Sequence, residues 1–263
     1  MQCMKQNVVL VGAGNLATSL AIALHNAGVP VSQVYSRTIE SARSLAKVIG
    51  AEPINSVEHI LTNACIYIVA LPDDVIPQII FKLPQVSGII AHTSGSTPVS
   101  VFEGIDAKGY GVFYPFQTFS RNRVIPFNNI PICLEANNVE TFKQLEHLAG
   151  NLSSIVVPMD SEKRKWLHLS GVFACNFTNH MLALAYRLTT EHQISFDVVK
   201  PLVEETVRKA FEGNPAHFQT GPAIRNDKQI MERHAQMLSA IGLTDLYKEL
   251  SLSIQNLAKE LKG

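Results

Sequence analysis

The sequence predicts an α/β protein in which a doubly wound parallel sheet is followed by an all-helical C-terminal domain. Three observations support this prediction. A short apolar strand runs into a glycine-rich turn near the start, strands and helices alternate up to about residue 159, and only helical patterns follow. The length of 263 residues suits two domains. We therefore predict an α/β domain over residues 1–159 and a helical domain over residues 160–263.

The first strand and turn carry a dinucleotide-binding fingerprint. Residues 8–11 are the apolar run VVLV, and GAGNLA at residues 12–17 fits the pattern G-x-G-x-x-A at the start of a helix. Gly12 suits the tight turn, Gly14 lets the backbone approach a pyrophosphate, and Ala17 permits close packing of helix on strand. Free N–H groups around Asn15 and Leu16 would bind the pyrophosphate. The alternative is a tight turn that binds no ligand. Because the fingerprint lies between a strand and a helix, we predict that the first domain is Rossmann-like.

The end of the second predicted strand, residues 31–35, indicates which dinucleotide is bound. Ser36, Arg37 and Thr38 stand where a dinucleotide fold reads the ribose. NAD enzymes usually place Asp or Glu there, whereas hydroxyls and a guanidinium suit the extra phosphate of NADP. The alternative is that Arg37 is simply solvated beyond the strand. We predict NADP as the cofactor.

Further strands and helices alternate through the first domain. The second helix carries its apolar residues on one side and ends at Gly50. Apolar runs predict strands at residues 51–54, 65–71, 88–91, 110–114, 130–134 and 154–157, with a helix over residues 139–150. Asp73 or Asp74 is expected to cap a helix that begins at Val75.

The second domain is predicted to be helical throughout. Asp160 or Ser161 caps a long helix that runs to about residue 192, and Ser195 opens another. The helical pattern breaks at residues 214–215 and 221–222, restarts at Asp227, and is divided again by Gly242.

Composition and charge exclude several kinds of partner. The chain is 46% hydrophobic with a net charge of zero that is spread evenly, so neither nucleic acid nor a membrane is an expected partner. The four cysteines are far apart and form no C-x-x-C pair, so we expect free thiols and no metal site. No apolar run is long enough for a signal peptide or a membrane span, which predicts a cytoplasmic protein.

Three polar loops follow predicted parallel strands, whose carboxyl ends form the ligand-binding edge of such sheets. The first loop begins with Leu71 and Pro72, where we expect further cofactor contacts. The second contains His92 and Ser94, and the third contains Gln117. Each loop can also be an ordinary turn, since Ser, Thr, Asp and Gly are common turn residues. His92 at a strand end has an easy backbone partner, so a structural role for it stays open.

The long helix of the second domain presents a polar line. Lys165, His168, Val172, Asn176 and His180 recur at steps of three and four residues and share one face of an α-helix. Such a line on an apolar helix either faces a cleft or meets solvent. The alternative for His168 is a structural role, as a histidine whose hydrogen bonds are made within an interface.

The loop TGPAIRND at residues 220–227 is a separate candidate. Arg225 in this loop can clamp a carboxylate through a bidentate pair. The plainer interpretation is a Gly-Pro turn whose Asp227 caps the next helix.

These motifs resemble a known group of reductases. The fingerprint, the segment Ser36-Arg37-Thr38 and the order of the two domains resemble the superfamily of pyrroline-5-carboxylate reductase, ketopantoate reductase and the 3-hydroxyacid dehydrogenases. HTSG at 92–95, YPFQT at 114–118, residues 168–176 and TGP at 220–222 are more similar to a bacterial family that joins a Rossmann-like NADP-binding domain to a helical domain of unassigned function. That family is often described as similar to the deazaflavin-dependent NADP oxidoreductases.

The sequence departs from the hydroxyacid relatives at one position. Those relatives carry a lysine on the first long helix, and an alignment on Asn176 places His168 at the lysine position and Val172 at an intermediate asparagine position. Hydroxyacid chemistry is therefore disfavoured, whereas hydride transfer stays open with His168 as the candidate acid.

Together these observations predict an NADP-dependent oxidoreductase that transfers a hydride to or from a small polar carbonyl or imine. His168, Asn176 and Ser94 are the expected catalytic residues. The expected substrate contacts are His92, Gln117, Lys165 and Arg225. A non-catalytic NADP sensor or binding module is the alternative. The resemblance to reductases that dimerise through such helices also predicts a homodimer, formed by residues beyond 160.

The ribose-reading segment generates a prediction about cofactor choice. NADPH should bind at least ~10-fold more tightly than NADH, a difference of about 1.4 kcal/mol, because Ser36 and Arg37 replace the usual acid. Arg37→Ala should remove most of this preference, as measured by fluorescence titration with each cofactor. Equal affinities in the unmodified protein would contradict the prediction.

Overall fold

The computed structural model describes residues 7–120 and 123–261. The chain divides into two compact units, the first ending at Asn179 and the second beginning at His180. The last strand of the first unit ends at Pro158, and the helix that begins at Ser161 still belongs to that unit. The domain boundary at residue 159 stays a prediction.

The first unit is built on one eight-stranded sheet of order β3-β2-β1-β4-β5-β6-β7-β8. All pairings are parallel except β6 with β7, which is antiparallel. The chain order reverses across β1, so the carboxyl ends of β1 and β4 form the crevice where such sheets bind ligands. The predicted doubly wound α/β fold is confirmed. The strands are Val8–Val11 (β1), Val31–Tyr35 (β2), Glu52–Ile54 (β3), Ile66–Val69 (β4), Ile89–His92 (β5), Gly109–Pro115 (β6), Ile132–Ala136 (β7) and Val156–Pro158 (β8).

Helices cover both faces of this sheet. Leu20 and Leu24 of α1 and Leu148 of α4 pack on one face, while Ile76 of α3 and Phe102 pack on the other. These apolar contacts bury β1 and β4 completely, as expected for central parallel strands. The helices are Asn15–Asn26 (α1), Ile39–Ile49 (α2), Ile76–Ile80 (α3), Val139–Gly150 (α4) and Ser161–Gly171 (α5).

Two details of the first unit differ from the sequence predictions. Neither Asp73 nor Asp74 caps α3, which begins at Ile76 without a side-chain cap. The carboxylate of Asp73 instead accepts a hydrogen bond from Ser96 Oγ. The long helix is also not uniform, because a π-helical segment, Val172–Phe177, follows α5. The shared face of His168 and Asn176, which assumed an unbroken α-helix, stays a prediction.

The second unit is helical over its described residues, as predicted. Its helices are Thr178–Glu191 (α6, which starts just before the unit boundary), Lys200–Ala210 (α7), Lys228–Ser239 (α8) and Thr244–Glu260 (α9). Asp227 caps α8, because its Oδ1 accepts from Ile230 N at 3.3 Å. Within the part of the chain that the structure describes, no helix is long and apolar enough to cross a membrane.

The cysteines differ in state. Cys133 is a buried free thiol and Cys175 an exposed one, whereas Cys65 is disulfide-bonded. The expectation of free thiols is therefore wrong at Cys65, and Cys3 lies outside the described residues.

Candidate functional site

The turn between β1 and α1 needs glycine at two positions for two different reasons. Gly12 has φ +132°, and a Cβ there would lie 2.2 Å from the carbonyl oxygen of Ala70. No side chain fits at Gly12, because conformation and space both forbid it. Gly14 has an ordinary φ of −79°, and a Cβ there would meet no atom of the described residues within 4 Å. The fold itself therefore does not require Gly14, whereas a ligand lying against the backbone would.

The N-terminus of α1 is open to an anion. No side chain in the described part of the chain caps it, and its first turn contains no acidic residue. The first N–H groups of a helix lack partners within the helix and carry the positive end of its dipole, so they favour a phosphate group. The Asn15 amide donates to the Phe119 carbonyl at 3.3 Å, which ties this helix start to the loop after β6.

The remaining cofactor candidates lie at the ends of β4 and β2. A Cβ at Gly12 would lie 3.4 Å from Leu71 Cδ2, so the structure brings the turn and Leu71 together, with Pro72 exposed beside it. Ser36 follows β2 and donates its N–H to Ile54, and Thr38 Oγ1 bonds Ser41 Oγ at 2.9 Å. Arg37 is exposed, and no ion pair of the described residues includes it. Its guanidinium is thus available to a phosphate.

His92 is the last residue of β5 and is fully buried. Its Nδ1 accepts from Ser94 N at 3.1 Å, and its ring stacks on Phe102 with centroids 5.4 Å apart. Burial, helped by the Arg164 cation, lowers the pKa of His92 to about 4, while the Pro98 carbonyl and Asp73 oppose the shift. His92 is therefore neutral at pH 7, and these surroundings favour a structural role over substrate contact.

Ser94 organises the loop after β5. Its Oγ accepts from Ser96 N at 3.1 Å and from Thr97 N at 2.9 Å, and the residue is buried. Ser96 in turn donates to Asp73, which joins this loop to the one after β4. Because the Ser94 oxygen only accepts in these bonds, its own proton is left for another acceptor.

The loop after β5 meets helix α5 at a tyrosine–histidine pair. Tyr114 lies near the end of β6 and His168 lies on α5. The Oη of Tyr114 is 3.1 Å from the Nδ1 of His168. A Cβ at Gly95 would lie 2.6 Å from His168 Nδ1 and 2.8 Å from Tyr114 Cζ, so glycine alone fits between the loop and the pair. Burial raises the pKa of Tyr114 to about 12. Tyr114 belongs to the segment YPFQT at 114–118 but had no predicted role; its position at a strand end was the only signal.

A buried ion pair holds α5 against the sheet edge. Arg164 is fully buried and bonds Glu135 of β7 through Nη1, while its Nη2 donates to the Thr97 carbonyl at 2.7 Å. Ser161 Oγ donates to Glu135 Oε2 at 2.8 Å and accepts from Val99 N at 3.0 Å. Arg164 lies one helical turn before His168, so this network fixes the segment that presents the histidine. Sequence reasoning missed Arg164 and Glu135, because nothing in the sequence marks their pairing.

The other predicted site residues are less closely tied to this cluster. Gln117 is exposed, and its Oε1 accepts from Thr118 N at 2.8 Å. Lys165 pairs with Glu162 at 2.7 Å on the same helix, and Asn176 is exposed in the π-helical segment. Arg225 is exposed in the second unit, in the loop before α8. Among the described residues, no group of three or more His, Cys, Asp or Glu could hold a metal ion, and none was predicted.

Comparisons with known proteins agree with this architecture. A Rossmann-like family model matches residues 1–112, and a domain of unknown function, DUF2520, matches residues 130–254. A Bacteroides fragilis protein described as a candidate NADP oxidoreductase is 44% identical, with a TM-score of 0.88 over 96% of this chain and 98% of that one. The search of curated proteins finds no match.

Two more distant structures share the fold. A reductive aminase from Aspergillus terreus in complex with NADPH and ethyl-5-oxohexanoate is 16% identical, with a TM-score of 0.67 over 98% of this chain and 93% of that one. A pyrroline-5-carboxylate reductase from Coxiella burnetii is 15% identical, with a TM-score of 0.55 over 98% of both chains. The resemblance found in the sequence is confirmed.

The two fingerprint glycines should respond differently to alanine. Gly12→Ala should lower the free energy of unfolding by about 2 kcal/mol or more, because both φ and the Ala70 carbonyl oppose a Cβ. Gly14→Ala should leave stability nearly unchanged but weaken NADPH binding about ten-fold or more, because the methyl group occupies the approach to the helix start. Urea denaturation and NADPH titration test the pair, and equal destabilisation by both variants would contradict it.

The buried ion pair generates a stability prediction. Arg164→Met leaves the mostly buried Glu135 carboxylate without its cation and should cost about 3–5 kcal/mol in urea denaturation. Lys163→Met on the same helix is the matched control, because Lys163 is exposed and its contact with Asp160 is long, at 3.8 Å. A loss no larger than that of the control would show that the network does not hold α5.

Proposed function

The chain, in which a Rossmann-like domain precedes a DUF2520 domain, belongs to the family of the Bacteroides fragilis protein, and from this premise we propose that it is an NADP-dependent oxidoreductase. The proposed reaction transfers a hydride to or from a small polar carbonyl or imine. The observation that carries the proposal is the β1–α1 turn, where Gly14 leaves open space before an uncapped helix N-terminus.

The residues present suit NADP as the cofactor. The uncapped start of α1 would hold the pyrophosphate, and Leu71 lies beside the same turn. Arg37, exposed and without an ion pair among the described residues, would bind the 2′-phosphate together with Ser36 and Thr38. The NADPH in the Aspergillus terreus complex, within the same fold, supports this assignment.

The cofactor would supply the hydride, and the chain would supply hydrogen bonds. His168 is the proposed donor of a hydrogen bond or proton to the substrate oxygen, because it is exposed, whereas His92 is buried and neutral. The Ser94 hydroxyl donates to no acceptor among the described residues and lies in the adjoining loop, and Asn176 follows on the same helical stretch. Direct contacts of Gln117, Lys165 and Arg225 with the substrate stay predictions, as does the homodimer.

Substitution of the histidines tests this proposal. NADPH oxidation is screened with a panel of small ketones and cyclic imines, and the best substrate is used for all variants. His168→Gln should lower kcat by ~10²-fold or more, with NADPH affinity nearly unchanged, because it removes only the donor to the reacting oxygen. His147→Gln, an exposed histidine on α4, is the matched control and should be neutral.

The outcomes separate the alternatives. If His92→Gln loses turnover while His168→Gln keeps it, the assignment of the donor to His168 is wrong and the donor lies at the end of β5. NADPH binding without turnover of any substrate, in the unmodified protein and in both variants, would favour the sensor over the enzyme.

A further inference from the structure

We propose that Tyr114 is a positioning residue that holds the His168 proton on Nε2, so that the site presents a hydrogen-bond donor to the substrate. The inference rests on the proposed function and adds to it the substrate class. A ring that donates through Nε2–H suits a reacting atom that accepts a hydrogen bond, such as a carbonyl oxygen or a neutral imine nitrogen. It does not suit a preformed iminium, which has no lone pair to accept with.

The direction of the Tyr114–His168 hydrogen bond follows from burial. Tyr114 is only 8% exposed, and within the described part of the chain its one hydrogen-bond contact is His168 Nδ1, at 3.1 Å. A buried phenol proton needs an acceptor. If Nδ1 carried the ring proton and donated to Tyr114, the phenol's own proton would have none. The phenol keeps that proton at neutral pH, because burial raises its pKa to about 12.

Packing fixes the imidazole in this arrangement. Gly95 allows the loop backbone to lie against the Nδ1 edge of the ring, where a Cβ would be 2.6 Å from Nδ1 and 2.8 Å from Cγ. Arg164 and Ser161 anchor the preceding turn of α5 to Glu135 and to the 97–99 loop. The ring thus has its Nδ1 edge committed to Tyr114 and Gly95, which leaves Nε2 as the nitrogen that can meet a ligand.

The contrast with His92 supports the same conclusion. The Nδ1 of His92 also accepts a hydrogen bond, from Ser94 N, but its ring is completely enclosed. The Nδ1 of His168 likewise lies in a hydrogen bond, 3.1 Å from the Tyr114 hydroxyl, but on an exposed side chain. Of these two histidines, only His168 can offer its Nε2–H to a small molecule.

The ring tautomer is measured directly by ¹⁵N-edited NMR of the histidine side chains at alkaline pH, with the His168 signal identified by its loss in His168→Gln. The expected result is a neutral ring protonated on Nε2. Tyr114→Phe keeps the ring packing but removes the donor, and should reduce the ratio of Nε2–H to Nδ1–H forms about five-fold. Tyr110→Phe, the same change on the same strand, should leave the ratio unchanged. A wild-type ring protonated on Nδ1, or a ratio unmoved by Tyr114→Phe, overturns the inference, and the wild-type result decides even if the variant fails to fold.

A substrate comparison supplies the second readout. NADPH oxidation is compared with cyclohexanone, whose oxygen accepts a hydrogen bond, and with N-methyl-1-pyrrolinium, which cannot accept one. The inference expects the ketone to be used in preference, with a lower kcat and unchanged NADPH affinity in Tyr114→Phe. Turnover of the iminium alone overturns it. Failure to bind NADPH at all overturns the proposed function and leaves the tautomer result to judge the Tyr114 assignment on its own.

Discussion

The candidate site depends on the pairing of Arg164 with Glu135. A fully buried guanidinium is costly to desolvate and is tolerated only when its partners are supplied, here by the carboxylate, the Thr97 carbonyl and Ser161. These partners come from a sheet strand, the loop after β5 and α5 itself. The pair therefore fixes α5 relative to the loop whose Gly95 lies against His168. The same segment of α5 presents His168 to Tyr114, and the Arg164 cation adds to burial in lowering the pKa of His92.

The parts of the molecule that follow local rules could be predicted from the sequence. Strand β2 and helix α4 have the predicted bounds, because apolar periodicity and end signals such as Gly28, Pro30 and Asn138 determine them locally. The need for Gly12 also follows from the fingerprint. The antiparallel pairing of β7 was not visible, because pairing direction depends on partners distant in sequence. The π-helical segment was not predicted either, because its residues carry no helix-breaking signal.

The roles of the site residues depend on their three-dimensional surroundings, which could not be predicted from the sequence. His92 and His168 are alike as residues and both were candidates, yet one is enclosed beside a cation and the other is exposed on a helix. Tyr114 belonged to a candidate segment but had no predicted role, because the contact of its hydroxyl with His168 Nδ1 cannot be read from the sequence. Such differences arise from which side chains from separate elements meet, and no spacing along the chain encodes them.

The enclosed state of His92 links folding to acidity. The pKa of His92 is about 4 in the folded protein, against an ordinary value of 6.5. Between pH 6.5 and 4, this histidine is therefore protonated in the unfolded chain and neutral in the folded one. The unfolded state then binds more protons, and the free energy of unfolding falls as the pH drops from about 6.5 towards 4, by about 3 kcal/mol in all. Above pH 6.5 this residue imposes no penalty. The burial of a histidine at the end of a central strand thus makes the folded state less stable in mild acid.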